Sequence, residues 1–77
     1  RRGNVEEAVR YLEPAAAGLP DNALAQFHLG MAYAALGGRE EEAIAALTRA
    51  LEVGADSALP QMEVARERID ELRAGKP

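Results

Sequence analysis

The chain has no cysteine. Disulfides, thiolate nucleophiles and cysteine-ligated metals are excluded, while the redox compartment stays open. It has a single histidine, His28, so no second imidazole and no thiolate is at hand to complete a zinc site. Its single serine, Ser57, has no base placed to activate it, and nucleophilic catalysis lacks a constellation. Basic charge is short: Lys and Arg number 9 against 13 Asp and Glu, a net charge of −4. A nucleic-acid partner calls for a clustered basic face, which this balance argues against. Long apolar runs are missing too. The longest, Ala23 to Leu36, falls short of the roughly 20 residues that span a bilayer, and Gln26 and His28 interrupt it.

What remains is a short, folded composition. Hydrophobic residues make up 48% of 77 residues, which fits one globular domain rather than a disordered segment. A chain of this size buries a modest share of its surface and is marginal on its own. It opens Arg1-Arg2-Gly3, with no initiator Met and in mid-pattern, as a fragment of a longer protein would.

Periodicity predicts four helices. The first runs from about Val5 to Ala17, with Asn4 as N-cap and Glu7 three residues on as in a capping box. Its stripe is Val5, Ala8, Val9, Leu12 and Ala16. Pro14 predicts a kink or an early frayed end, and Gly18 a stop. The second runs from about Ala23 to Leu36, capped by Asn22 and closed by Gly37-Gly38. It is apolar nearly all round, as a helix buried on most sides or lining a groove is. Gly30 in its middle costs roughly 1 kcal/mol against Ala and implies close approach of a neighbouring helix. The third runs from about Glu40 to Val53, stopped by Gly54, with Ala43, Ile44, Leu47, Ala50 and Leu51 as its stripe. The fourth runs from about Ala58 to Arg73, capped by Asp56 or Ser57, with Pro60 in its first turn. Its stripe, Met62, Ala65, Ile69 and Leu72, is narrow and the rest of its surface is charged. Residues 74–77 read as a frayed tail.

No group of residues converges on chemistry. Glu40, Glu41 and Glu42 point in different directions around a helix and suit the positive end of its dipole better than a metal. Gly37-Gly38 is a turn without phosphate-loop spacing. Tyr11 and Tyr33 read as amphipathic packing residues. The residues call for no catalysis, no cofactor and no metal.

Internal repetition is the strongest signal. Gly3-Asn4-Val5-Glu6-Glu7-Ala8 is matched by Gly38-Arg39-Glu40-Glu41-Glu42-Ala43. Between them lie Leu19-Pro20-Asp21-Asn22 at the boundary, Leu29-Gly30 and Tyr33, and Ala50 follows Ala43 in the second copy. This pattern resembles the tetratricopeptide repeat, a helix–turn–helix unit of roughly 34 residues. Two departures stand out. The turn carries two glycines where one is usual, and Ala55 replaces the closing proline. Neither removes a packing position. The resemblance implies an all-α solenoid of antiparallel helix pairs. Residues 1–21 hold the second helix of a truncated repeat, 22–57 one complete repeat, and 58–73 a polar capping helix. The Ala-, Gly-, Leu- and Arg-rich usage is similar to that of bacterial members of the family.

The resemblance also implies a role: a non-catalytic scaffold binding a protein or peptide in a concave groove lined by the first helix of each pair. By that analogy the groove residues are Asn22, Leu24, Phe27, His28, Met31 and Ala35, joined by Leu59, Met62, Arg66 and Asp70 from the fourth helix. Asn22 at the mouth is placed to hydrogen-bond an extended peptide. Members that grip carboxylate tails use Lys, Arg and Asn on this face. Here it offers Phe27 and Met31 with only Arg66 basic, which suits an apolar helix or peptide. Leu24, Phe27 and Met31 either serve a partner or are covered by further repeats upstream. Two other roles fit the same residues: a self-association module, as a homodimer through an exposed apolar helix face, or a docking domain attached to an enzyme elsewhere. No membrane span is expected, and a cytoplasmic setting is favoured over a periplasmic one.

Overall fold

The computed structural model of the chain describes residues 2–75; residues 76 and 77 of the expected tail lie outside it. Four helices follow one another: α1 (Arg2–Gly18), α2 (Ala23–Leu36), α3 (Glu40–Val53) and α4 (Pro60–Arg73). Packing is sequential. α2 lies most closely on α3, and also against α1 and α4, while α1 reaches only α2 at the level of packed backbones.

α2 and α3 occupy the expected residues. Asn22 is extended, and its side-chain oxygen accepts the Ala25 N–H at 3.0 Å, closing the N-terminus of α2. At the other end Gly37 and Gly38 take φ of 81° and 75°, the left-handed region where glycine carries no steric penalty. Acidic Glu40, Glu41 and Glu42 fill the first turn of α3.

The other two helices begin elsewhere than expected. α1 already includes Asn4, so Asn4 is not its cap and Glu7 closes no capping box. A capping residue is a preference of about 1 kcal/mol, not a barrier, and nothing at Gly3 or Asn4 forbids helical backbone. Pro14 does not end the helix either, for α1 continues to Gly18. Its last turn is held from outside. Ala16 is buried, and the Gln26 amide donates to the Ala16 and Leu19 carbonyls at 3.0 and 3.2 Å. α4 starts at Pro60, with Leu59 rather than Asp56 or Ser57 at the cap position and no side-chain cap. Proline disfavours helical backbone in the residue before it, and Leu59 is accordingly extended at ψ 129°. Ser57 turns back instead, and its hydroxyl donates to the Gly54 carbonyl at 2.7 Å.

The expected stripes supply most of the core, although Val5 and Ala8 of α1 belong to neither cluster. One cluster, between α1, α2 and α3, comprises Val9, Ala16, Leu29, Tyr33, Ala43 and Ala46. The other, between α2, α3 and α4, comprises Phe27, Leu47, Ala50, Met62, Ala65 and Ile69. Gly30 is where α2 and α3 touch: a Cβ there would stand 2.7 Å from the Leu47 side chain and 3.1 Å from its backbone nitrogen. Gly54 makes a second close approach, to Met62 and Ala23, that periodicity did not mark. Tyr11 departs from expectation. It is 75% exposed and packs against nothing in the core.

Candidate partner-binding surface

α2 is walled on three sides. Gln26, Leu29 and Tyr33 turn to α1, Gly30 to α3, and Phe27 to the α4 cluster. The remaining face carries Leu24, His28, Met31 and Ala35, at spacings of four, three and four residues. Such spacing lines residues up along one side of a helix, here for about 16 Å at 1.5 Å per residue. Leu24 and Met31 are half-buried, His28 and Ala35 exposed. Met31 leans on the core cluster that holds Phe27. The row has no charged residue, and its polar member, His28, stands edge-on to Phe27 with ring centroids 5.6 Å apart.

The other residues expected beside this row are placed differently. Phe27 is 8% exposed, so its ring supports the row from beneath rather than standing in it. Asn22 uses its side-chain oxygen to cap α2, which leaves its amide nitrogen free to donate. Leu59 and Met62 share the core cluster of Phe27 and Met31. With Arg66 they also line a depression of about 280 Å³ against the end of α3, beside Leu51, Gly54 and Glu63. Met62 is buried at its floor and Arg66 is exposed at its rim. Asp70, one turn beyond Arg66, is exposed. α4 turns its Met62–Ala65–Ile69 stripe into the core, which leaves Arg66 at that depression. Val64 lies off that stripe and is 41% exposed. A helical wheel centred on the buried stripe separates Val64 from Arg66.

One polar cluster stands apart from both surfaces. The Tyr33 hydroxyl donates to the Glu13 carboxylate, and the Arg39 guanidinium sits 4.7 Å from the centre of the Tyr33 ring. Arg39 reaches Glu42 at 2.9 Å and Glu13 at 3.5 Å. Burial, with the neighbouring Glu13 carboxylate, pushes the Tyr33 hydroxyl up to about 12. Arg39 is held more firmly protonated, chiefly by its hydrogen bond to Glu42. These groups tie α1 to the α2–α3 turn and have a structural task. Among the described residues no three His, Asp or Glu side chains gather as metal ligands would, and no helix is long and apolar enough to cross a membrane.

Sequential antiparallel helices, a glycine crossing within the α2–α3 pair and an uncovered face on the first helix of that pair define a helical-repeat protein of the solenoid kind. Residues 1–67 match the family model described as tetratricopeptide repeat, and the chain belongs to that family. It is accordingly a non-catalytic module of the type that binds proteins and peptides. No curated protein and no solved structure matches the chain.

Proposed function

We propose that the α2 row, Leu24, His28, Met31 and Ala35, is the surface on which this module receives an apolar helix or peptide of a partner protein. The carrying observation is that every other side of α2 is covered, while this one is uncharged and open. Its straight 16 Å line suits a helix laid along it, with about three apolar side chains in contact, as in helix-in-groove recognition. Phe27 backs the row, and the Asn22 amide is available to a partner's carbonyl at its mouth. Leu59, Met62 and Arg66 form a secondary patch for a longer partner. Self-association through this same row is the competing reading.

Selection of displayed helical and extended peptides on the 77-residue chain tests the reading, with Met31→Glu as counter-selection. Met31 is half-buried, so the variant's fold is checked by circular dichroism. The expected outcome is peptides that bind the natural chain, shift the amide resonances of Leu24, Met31 and Ala35, and lose binding to the variant. Peptides that bind both forms equally would rule the row out.

A further inference from the structure

The 35-residue repetition that relates α1 to α3 also relates α2 to α4. It carries Gln26 onto Gln61, Phe27 onto Met62 and Gly30 onto Ala65. The fold treats each pair alike. Phe27 and Met62 stand in one core cluster, Gly30 and Ala65 are both buried, and both glutamines turn a polar side-chain atom inward. α2 and α4 touch, and Met31 and Leu59 pack on the cluster they share. The α2 row of Leu24, His28, Met31 and Ala35 thus has a neighbour of the same spacing on α4: Leu59, Glu63, Arg66 and Asp70. The two rows differ in chemistry. The first has no charged residue. The second carries three exposed charges in the order acid, base, acid. Their spacing would let Arg66 pair with Glu63 or Asp70, yet among the described residues none of the three is in an ion pair. The pair that α4 does make, Arg68 with Glu71, lies off this row.

We propose that the charged row reads the polar flank of the helix that the α2 row receives. The partner segment is then an amphipathic helix whose apolar stripe is bordered by a base, an acid and a base. This rests on the α2 row being the partner site. Packed helices lie about 8–10 Å apart and a helix with its side chains is about 10–12 Å across, so a helix seated on α2 comes within reach of long side chains on α4. Glu63 and Arg66 are separated by a rise of about 4.5 Å, and Arg66 and Asp70 by about 6 Å. A helix running alongside meets both intervals with its own residues three and four apart. Lys or Arg opposite Glu63 and Asp70, with Glu or Asp opposite Arg66, answers all three charges. The inverse order sets like charge on like at every position. Exposed charges of this kind select between partners more than they hold a complex together. Affinity on this account comes from the α2 row and choice of partner from α4.

Two synthetic helical peptides test this. They share one apolar stripe and differ only in the flank, Lys-x-x-Glu-x-x-x-Lys in the first and Glu-x-x-Lys-x-x-x-Glu in the second. Fluorescence anisotropy titrations on the 77-residue chain at low ionic strength should favour the first by about tenfold, as three exposed pairs change from attraction to repulsion. The preference should fade towards equality at ~1 M salt, where the screening length is about 3 Å. The triple variant Glu63→Lys, Arg66→Glu, Asp70→Lys alters exposed positions alone and should reverse the order of the two peptides. Met31→Glu should weaken both. Equal affinities that are both lost with Met31→Glu would overturn the proposal and leave the α2 row standing as the partner site. A preference that survives the triple variant, or that ignores salt, would overturn it as well. So would binding of neither peptide. Binding that ignores Met31→Glu would remove the α2 row as the site, and this inference with it.

Discussion

Between α2, α3 and α4 the core is dry. Phe27, Leu47, Met62 and Ile69 fill it, and alanines at 50 and 65 let the helices close. Between α1, α2 and α3 the material is different. Val9, Ala16, Leu29, Ala43 and Ala46 are mostly small, and polar contacts complete the junction. Gln26 ties the end of α1, Tyr33 and Arg39 grip Glu13, and Arg49 reaches Pro20 and Asp21 in the connecting loop. The dry junction depends on volume and the stitched one on directed bonds, so the two should answer differently to substitution and to pH.

The largest effect is expected from removing volume in the dry junction. Phe27→Ala should cost about 3–5 kcal/mol, most of the stability of a domain this size, read as the loss of a cooperative thermal transition. That outcome also makes Phe27→Ala a poor probe of binding, which Met31→Glu serves better. Gly30→Ala sharpens the point. Helix propensity alone would gain about 1 kcal/mol, yet the new Cβ would crowd the fully buried Leu47 at 2.7 Å, and overpacking costs about 1–3 kcal/mol. Denaturant titration should show net destabilisation, whereas Gly3→Ala, with nothing within 4 Å of its Cβ, should stabilise.

The stitched junction should give next in order. Gln26→Ala removes a second donor from the Ala16 and Leu19 carbonyls, which keep the backbone N–H groups of Leu19 and Asn22, a loss of about 0.5–1.5 kcal/mol per bond. Hydrogen exchange should report it first at Ala16 to Leu19 and leave α4 unchanged. If α4 exchanges equally, the two junctions are one cooperative unit and the contrast fails.

Tyr33 adds a pH signature. Its hydroxyl is raised from 10.0 to about 12 in the folded chain, so the folded state holds that proton more tightly than the unfolded one. The contribution is fully present below pH 10 and is lost as pH rises through 12. Thermal melts between these limits should show falling stability, and Tyr33→Phe should remove that slope. The smallest effect belongs to Arg49→Ala. Its pairs with Asp21 and Glu52 are solvent-exposed, and the change should fall within about 0.2–1 kcal/mol.

Legibility followed the kind of signal involved. α2 and α3 were readable because their ends carry local chemistry, Asn22, Gly37-Gly38 and Gly54, that acts whatever the rest of the chain does. The start of α4 was misplaced because the capping signals at Asp56 and Ser57 competed with Pro60, whose steric effect on Leu59 prevailed. The start of α1 was misplaced because Asn4 reads as a cap, a local preference that does not prevent helical backbone, while its end at Gly18 was readable. Within the candidate site, residues 24, 28, 31 and 35 share a face by helical geometry alone, whereas how Leu59, Met62 and Arg66 stand to that face depends on how α4 packs on α2.

By itself the amino-acid sequence determined the helices, their order, the repeat and the residues each helix had to bury, since periodicity, caps and glycine turns are local and short-ranged. Tertiary structure decided what those faces met. It brought Gln26 to the α1 carbonyls, Tyr33 to Glu13 and Arg66 to the depression at the end of α3. Those outcomes depend on the rotation of one helix against another, which is set by the summed packing of all four and is written in no single stretch of the chain.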